Sequence, residues 1–597
     1  MKYLKRLGID NPNYDRFPHV AVKGHDNSCW TGWQSIAAEL KAAANKRNTT
    51  KCLIAIECYT GLYDDEILSA ISAGIADAEI FKSSDAFKAP AEIDKLVEPF
   101  LGGDDPVFGR LTHLELDDFL DEEKKSALTK AISESSASTV IVYGTAALLC
   151  AEADIVVYAD LARWEAQLRQ RANEVSNLGV NNSNLATNLQ YKRSFYIDWR
   201  VCDRLKQKTF DRWDYLLDTC VKGSPKMITG DAFRDGIEQT LARPFRVVPF
   251  FDPGVWGGQW MKEVCQLPED KPNYAWCFDC VPEENSLFLK FGETVVEIPS
   301  INAVLYRPEK LLGEPVYGLT GAYFPIRFDL LDTMQGQNLS FQVHPMLDYA
   351  RKEFGLNLTQ DESYYILDAE PDADVYLGLV DDVDAEAMIR DLKIASEDPS
   401  KPFPDEKYVQ KFPIKRHDHY LIPAGTCHCS ATDTLVLEIS HTPYVFTFKL
   451  WDWDRVDLNG LPRPINLERG EKNIQWDRTR SWVEPRLVNQ FEELSSGDGW
   501  KEERTGLYKS QLIETRRHWF EKPVEHDTRG ESVHVLNLVS GQEATVLSPV
   551  GAFEPFVVHF AETFIVPAAA GRYIIKPSGP SEGERCATIK AFLRVNA

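Results

Sequence analysis

The segment 338–345, NLSFQVHP, decides how the centre of this chain is interpreted, because it places two metal-ligating side chains in a β-prone run. Gln342 and His344 stand two residues apart. Successive side chains of a strand point to opposite faces, so residues at this spacing share a face. We therefore expect both side chains to reach one common ligand.

Two further potential ligands follow this segment. Glu362 opens the predicted strand ESYYILD, and His428 closes the segment LIPAGTCH after a Pro-Ala-Gly turn. Two imidazoles, a carboxylate and an amide oxygen suit zinc, or an iron or manganese ion of similar size, with one coordination position left open. Gln342, His344, Glu362 and His428 therefore predict one Zn²⁺ per chain, with another divalent metal as the alternative.

The sequence around these four residues indicates an all-β architecture. After about residue 240, short β-prone segments alternate with turns and with Pro and Gly pairs, which is typical of an antiparallel sandwich or barrel. An acidic helical insert interrupts them at 381–399, DDVDAEAMIRDLKIASEDP. We expect a metal-binding β-domain at 240–480 and a second, smaller β-domain at 481–597.

The first 235 residues have a different pattern of predicted secondary structure. The runs KCLIAIECY, STVIVYG and ADIVVYAD read as buried parallel strands, and helical segments such as TGWQSIAAELKAAANK lie between them. Alternation of this kind is typical of an α/β layer architecture. We therefore predict a multidomain chain, with an α/β domain at 1–235 followed by β-domains.

Composition and charge limit the classes of function. The 597 residues include 66 basic and 91 acidic side chains, a net charge of −25, which repels nucleic acid while leaving room for a locally basic pocket. The segment MKYLKRLGIDNPNYDRF lacks the apolar run of a secretory signal, and no apolar stretch approaches 18 residues. Twelve scattered cysteines fit a reduced compartment. The expectation is a cytoplasmic protein with neither membrane nor nucleic acid as partner, of undetermined oligomeric state.

Five separate blocks carry a family resemblance. They are DPGVWGGQW, FPIRFDLLDTMQGQNLSFQVHP, TQDESYYILDAEP, LIPAGTCHCSATDTLVLEIS and FKLWDWDRVDLNGLPRPINL. In order and spacing this set resembles the type I mannose-6-phosphate isomerases. The resemblance is strong from about Pro249 to Arg469 and weak in the C-terminal β-domain.

The resemblance implies a cupin, or double-stranded β-helix, fold with a single zinc site. Gln342 and His344 match the family's Gln-x-His ligands, and Glu362 and His428 match its other two ligands. Glu438 matches a glutamate that the family places beside the substrate, which makes it the candidate proton-transfer group. The implied reaction interconverts an aldose and its ketose through an enediol.

The resemblance also assigns candidate catalytic and substrate contacts among other polar residues. Lys449 matches the family's catalytic arginine, and Ser340 matches a serine used near phosphate. Two further candidate substrate cations come from position and not from the resemblance: Arg327 shares a strand face with Asp329, where the family usually has a lysine, and Arg455 could supply a cation to the same mouth or be a surface residue in a polar turn. These four residues complete the predicted sugar site.

Three departures from the family pattern bear on the substrate. Asp329 stands where the family usually has a lysine, and Gln360-Asp361-Glu362 replaces Lys-Pro-Glu. Lys449 keeps the charge of the arginine but not its planar fork. Both a sugar phosphate and an unphosphorylated sugar therefore remain open as substrates.

The N-terminal α/β region weakly resembles the uridine-kinase branch of the P-loop nucleoside kinases, through CLIAIEC, DPVFGRLTHLELDDF and VIVYGTAALL. A working P-loop needs glycines around the phosphates and a lysine that reaches them. Here the segment is ECYTGLYDDE, and Asp64, Asp65 and Glu66 would repel a nucleotide. The region is predicted to be a degenerate kinase-like domain with a structural, regulatory or partner-binding role.

Three hypotheses follow for the whole chain. The first is a metal-dependent sugar or sugar-phosphate isomerase. The second is a sugar-binding or regulatory cupin protein that has an inactive kinase-like domain. The third is a purely structural metal site, which the nitrogen- and oxygen-rich ligand set disfavours because closed structural sites are usually built from thiolates.

Overall fold

The chain folds into one α/β region and two regions of paired β-sheets. The computed structural model describes residues 2–47, 50–103, 105–398, 400–442, 444, 446–456, 463–505 and 511–595. The α/β region precedes the β regions in the chain. The predicted fold class, mixed α/β followed by β-sheets, is confirmed at this level.

The N-terminal region is built on a seven-stranded sheet. Its five adjacent strands at one side run parallel, and the other two are antiparallel additions. The middle one of these five parallel strands, the central strand Cys52–Cys58, is almost wholly buried and apolar except for Glu57, as expected where helices cover both faces of a parallel sheet. In spatial order the strands are Cys29–Thr31, Lys226–Thr229, Tyr215–Asp218, Ile155–Asp160, Cys52–Cys58, Thr139–Gly144 and Ala78–Lys82.

Helices cover this sheet and connect its strands. Asp121 and Thr229 begin two of them, each accepting a hydrogen bond from a backbone N–H of the first turn. The principal helices are Trp33–Lys46, Asp64–Gly74, Pro90–Val97, Glu122–Glu134, Arg163–Arg171, Thr187–Arg193, Trp199–Thr209 and Gly230–Leu241.

Two antiparallel sheets form the central β region. The first has six strands in the order His419–Ile422, Asp361–Ala369, Thr434–His441, Arg327–Asp332, Trp276–Cys280 and Phe250–Asp252. The second has five, in the order Val409–Pro413, Asp374–Leu379, His428–Ser430, Phe341–Val343 and Phe448–Trp451. The predicted acidic insert is the helix Ala385–Glu397, which Asp384 caps.

The C-terminal β region repeats this two-sheet arrangement on a smaller scale. Six strands form one sheet in the order Glu492–Gly497, Trp500–Arg504, Ile513–Phe520, Cys586–Leu593, His534–Ser540 and Thr563–Val566. Four strands form the other, in the order Val524–Asp527, Arg572–Pro577, Glu543–Leu547 and Phe556–His559.

A small third motif joins the N-terminal and central regions. After the strand Trp276–Cys280 the chain leaves the central sheets and forms the hairpin Ser286–Phe291 and Thr294–Pro299. The N-terminal strand His19–Ala21 pairs in parallel with this hairpin. The N-terminal and central regions are thus connected by strand pairing. The domain boundaries at about residues 235 and 480 stay predictions. Among the described residues no helix combines the length and apolarity needed to cross a membrane.

Candidate metal centre

Three neighbouring strands of the five-stranded sheet place polar side chains in one row. Gln342 lies on the middle strand, with His428 directly opposite on one neighbour and Lys449 directly opposite on the other. Directly opposed residues of an antiparallel pair project from the same face. The side chains of Gln342, His428 and Lys449 therefore project from the same face of the sheet. His344 follows just after the end of the middle strand.

The six-stranded sheet contributes the carboxylate. Glu362 lies on the strand Asp361–Ala369, and its carboxylate contacts both histidines: Oε2 is 3.1 Å from His344 Nε2, and Oε1 is 2.9 Å from His428 Nε2. All three side chains are buried. The group thus lies between the two sheets, and it is the one group of three such ligand types in the described residues close enough to hold an ion.

The backbone partners of the two rings fix which ring nitrogen faces the carboxylate. His344 Nδ1 lies 2.7 Å from the carbonyl oxygen of Phe446, and His428 Nδ1 lies 2.8 Å from that of Thr426. A carbonyl only accepts, so each Nδ1 donates, and each Nε2 is turned towards Glu362. Two Nε2 atoms and a carboxylate that face one another at about 3 Å form a ligand set that one cation can bind. The donor set therefore fits a divalent metal.

Unsatisfied atoms at the same place support this fit. His344 Nε2 and Glu362 Oε1 are buried, yet neither has a hydrogen-bond partner among the described residues, although both lie near opposing ligand atoms. Burial raises the pKa of Glu362, but the two neighbouring rings hold it well below its ordinary value. The carboxylate is therefore ionised, as a metal ligand must be.

Gln342 and Gln360 complete the surroundings of the ligands. The side-chain amide of Gln342 lies 3.1 Å from His428 Nε2, beside the three other ligands. Gln360 donates to Glu362 Oε2 at 2.8 Å, and its own oxygen accepts from the Phe446 N–H at 2.9 Å. Gln360, which replaces a lysine of the family pattern, thus orients the carboxylate without adding charge.

Glu438 lies in the middle of a second row, on the six-stranded sheet. Its strand has Asp329 directly opposite on one side and Tyr364 directly opposite on the other. Burial, with the negative charges of Glu362 and Asp329, raises the pKa of Glu438 well above its ordinary value. A carboxyl group in this setting can hold a proton and exchange it.

The candidate substrate residues fall into two separate groups. Arg327 is buried on the strand of Asp329, 3.8 Å from that carboxylate. Ser340, Lys449 and Arg455 belong to the other side, next to the row of Gln342. The site thus has two differently charged arms rather than one cluster of cations.

Asp452 organises the arm on the side of Lys449. It accepts from Ser340 Oγ at 2.9 Å and pairs with Arg455 at 2.5 Å and Arg463 at 2.7 Å. Burial, with the nearby charge of Arg463, lowers the pKa of Lys449 to about 8. Two arginines thus share one carboxylate, and Lys449 lies near them.

Sequence reasoning missed Asp452 and two further residues at the site. Tyr364 is wholly buried, its hydroxyl has no hydrogen-bond partner among the described residues, and it lies opposite Glu438. Its spacing of two from Glu362 in ESYYILD was the available signal. Glu284, which influences Arg327, comes from a turn that no local pattern connects with the site.

A separate cavity of about 790 Å³ lies at the carboxyl ends of the parallel N-terminal strands. It is lined by the segments after three strands, including Tyr59–Glu66, and four of its lining residues are acidic and three are lysines. Connections from the central strand and from its neighbour Thr139–Gly144 leave in opposite directions there. Open α/β sheets usually bind ligands at such a point.

The central part of the chain, with its two β-sheets and buried His–Glu–His centre, is similar in sequence to mannose-6-phosphate isomerases. Two Bacillus subtilis relatives illustrate the similarity. "Probable mannose-6-phosphate isomerase GmuF" is 28% identical over 236 residues, 39% of this chain and 69% of that protein. Mannose-6-phosphate isomerase ManA is 25% identical over 238 residues, 39% of this chain and 68% of that protein.

Two further comparisons concern larger or other parts of the chain. The crystal structure of the Bacillus subtilis mannose 6-phosphate isomerase aligns with 58% of this chain and 99% of its own, at 19% identity and a TM-score of 0.45. Residues 32–242 match a family described as "Domain of unknown function (DUF8485)".

These comparisons confirm the resemblance to mannose-6-phosphate isomerases over about 40% of the chain. The likeness of the N-terminal region to uridine kinases is not confirmed and stays a prediction. The roles assigned to individual site residues likewise stay predictions, now with positions in a structure.

Proposed function

We propose that this protein is a metal-dependent aldose–ketose isomerase that interconverts mannose 6-phosphate and fructose 6-phosphate, or a closely related pair. The observation that carries the proposal is the meeting of His344, Glu362 and His428 between two sheets, with Glu438 on the strand adjacent to Glu362. Homology to mannose-6-phosphate isomerases supports a related isomerase activity.

Gln342, His344, Glu362 and His428 would hold Zn²⁺ or a similar divalent ion. When bound, such an ion supplies a positive centre that stabilises developing oxyanion charge during proton transfer next to a carbonyl. The backbone carbonyls that accept from both histidine Nδ1 atoms orient the rings for this role.

Glu438 is the proposed proton carrier. Isomerisation moves a proton between two adjacent carbons, so one group must remove it and return it one carbon away. The raised pKa of Glu438 brings proton uptake and release closer to neutral pH. The Tyr364 hydroxyl, opposite Glu438 and free of other partners among the described residues, is placed to donate to a substrate oxygen.

The arm built around Asp452 is the proposed binding place of the phosphate. Lys449, Arg455 and Arg463 contribute cations to this arm, and Ser340 adds a hydroxyl beside Asp452. Arg455 is held by Asp452 and by the Asn338 carbonyl, so we assign it to shaping this arm. Lys449, in the row of Gln342, is the cation nearest to the ligands in register.

A second candidate function is a sugar-binding or regulatory protein with an inactive kinase-like domain. The N-terminal cavity supports this alternative, because it has the position of a ligand site but lacks a phosphate cradle. Asp64, Asp65 and Glu66 occupy the first turn of the helix that follows the central strand, where a bound phosphate would need positive charge. We propose that this domain does not transfer phosphate.

The decisive experiment is turnover in deuterated water. We expect the zinc-loaded chain to convert mannose 6-phosphate into ketose and to leave deuterium on the carbons that exchange the proton, observed by NMR. Glu438→Gln should lower kcat about 10²- to 10⁴-fold while retaining zinc. Glu502→Gln, in the C-terminal domain, is the matched control. Absence of turnover with every phosphorylated and free aldose would favour the binding protein instead.

A further inference from the structure

The turn at residues 281–285 passes between the N-terminal domain and the central sheets. It begins directly after the strand Trp276–Cys280 and contains two consecutive glutamates. The first, Glu283, is buried and pairs with Arg163 and Arg200 of the N-terminal domain. The N-terminal domain therefore binds this turn through buried ion pairs.

Glu284 is held by the same domain. Its carboxylate accepts from the Tyr191 hydroxyl at 2.7 Å and from Gln167 Nε2 at 3.1 Å, while its carbonyl accepts from the Trp164 N–H at 3.2 Å. Glu284 and Gln167 are both buried. Hydrogen bonds to a buried carboxylate fix its position, because breaking them would leave unsatisfied charge.

From this position Glu284 acts on the interior of the central region. Burial lowers the pKa of Arg327, but the carboxylates of Asp329, Glu284 and Glu438 raise it overall. Asp329 lies 3.8 Å from Arg327 and directly opposite Glu438. A chain of buried charges thus leads from the N-terminal domain to the proposed proton carrier.

A second contact reaches the other side of the site. Tyr191, Phe195 and Tyr196 of the N-terminal domain pack on Tyr444, with ring centroids 6.0, 4.0 and 5.2 Å apart. Tyr444 precedes by two residues Phe446, whose carbonyl accepts from the ring of a proposed metal ligand. The N-terminal domain is therefore packed against the site from two directions.

We propose that the N-terminal domain forms one wall of the sugar pocket, with Tyr191 and Gln167 positioning Glu284 so that it and Asp329 neutralise Arg327. This inference rests on the proposed isomerase function. An arginine balanced by two carboxylates does not attract phosphate, but it can still exchange hydrogen bonds with hydroxyl groups. The wall therefore accepts the uncharged end of the sugar, and the phosphate is directed to the arm of Lys449.

The first test compares two tyrosines of the same helical run. Tyr191→Phe removes the donor to Glu284 and keeps the ring on Tyr444. With Glu284 less firmly held, Arg327 should gain free positive charge, and inorganic phosphate should bind roughly 3-fold tighter to the zinc-loaded variant than to the wild type. Tyr196→Phe keeps the same packing without touching Glu284 and should leave the phosphate affinity unchanged. Equal behaviour of the two variants would overturn the proposal.

The second test also needs no turnover. Glu284→Gln keeps the shape of the side chain and the acceptor for Tyr191, and its new amide N–H can donate to Gln167 once the Gln167 amide is turned over. The substitution removes the negative charge, so Arg327 gains free positive charge. Inorganic phosphate, titrated calorimetrically into the zinc-loaded chain, should bind about tenfold tighter to this variant than to the wild type. Equal phosphate affinity would overturn the inference even in an active enzyme. Lack of aldose turnover by the wild type would overturn the isomerase function alone.

Discussion

The two β regions share a two-sheet architecture and bury histidines, yet they treat those histidines in opposite ways. In the central region His344 and His428 turn their Nε2 atoms towards the carboxylate of Glu362. In the C-terminal region three buried rings have three separate partners: Lys590 Nζ lies 3.3 Å from His526 Nδ1, Glu502 Oε1 lies 3.1 Å from His518 Nε2, and the Tyr573 hydroxyl lies 2.8 Å from His534 Nδ1.

The difference shows that composition does not define a metal site. The cluster of His518, His526, His534 and Glu502 contains the same residue types, but it also contains the cation Lys590. Burial, with repulsion from Lys590 and Arg516, lowers the pKa of His518 to about 4. Two rings that share one carboxylate bring three ligand atoms to one point, whereas in the C-terminal cluster each ring has a different partner.

Removing one histidine from each region should give the largest contrast. His428→Ala deletes a ligand and should lower zinc affinity at least about 100-fold, with isomerase activity lost in parallel. His526→Ala, equally buried, should retain one zinc per chain. Elemental analysis of both purified variants measures the difference. Zinc loss from His526→Ala, or its retention by His428→Ala, would contradict the comparison.

Two lysines, the partly buried Lys449 and the buried Lys590, offer a contrast of intermediate size. Burial lowers the pKa of both Lys449 and Lys590 to about 8. If Lys449 binds phosphate, its charge is present below pH 8 and is lost above, so KM for the sugar phosphate should rise about tenfold per pH unit beyond 8. Lys449→Arg should remove this rise, since arginine stays charged.

Lys590→Met is the control for that pH profile. It removes the matching lysine from the other β region, far from the proposed substrate, and should leave the rise of KM in place. A flat KM for the wild type between pH 7 and 9 would remove Lys449 from the phosphate arm.

Acid stability gives the smallest expected effect. The folded C-terminal region keeps His518 neutral down to about pH 4, whereas the unfolded chain takes up this proton near pH 6.5. Because the folded pKa is lowered, the free energy of unfolding is unaffected above pH 6.5 and falls by about 1.4 kcal/mol per pH unit below it. His518→Phe should reduce this slope in urea titrations at pH 7, 6 and 5. The exposed His19→Gln should not, and equal slopes in all three proteins would exclude His518 as the source.

Much of the fold followed from local patterns. Continuous apolar runs such as 51–59 predicted parallel strands covered on both faces, and the sheet order bears this out. The spacing of Gln342 and His344 predicted a shared direction, and the structure brings His344 beside Glu362 and His428. These inferences succeeded because strand alternation is a property of the backbone and needs no distant partner.

The charge state of each candidate substrate residue was beyond local reasoning. Arg327 and Arg455 looked alike in sequence, as cations near a predicted pocket, but each is bound to carboxylates from its own arm. Glu284 belongs to a turn between the regions, and Tyr191 and Gln167 of the N-terminal domain hold its carboxylate by hydrogen bonds. No periodicity connects residues 191, 284 and 327, because only the path of the folded chain brings them together.

The amino-acid sequence by itself determined which side chains can ligate a metal, which faces of strands they occupy and how the chain divides between α/β and β layers. The tertiary structure alone decided which ring nitrogens meet a carboxylate and which meet a lysine, and which arginines keep free charge. The physical reason is that residue type and backbone geometry are local, whereas electrostatic balance in a buried site depends on every group that the fold brings within a few ångströms.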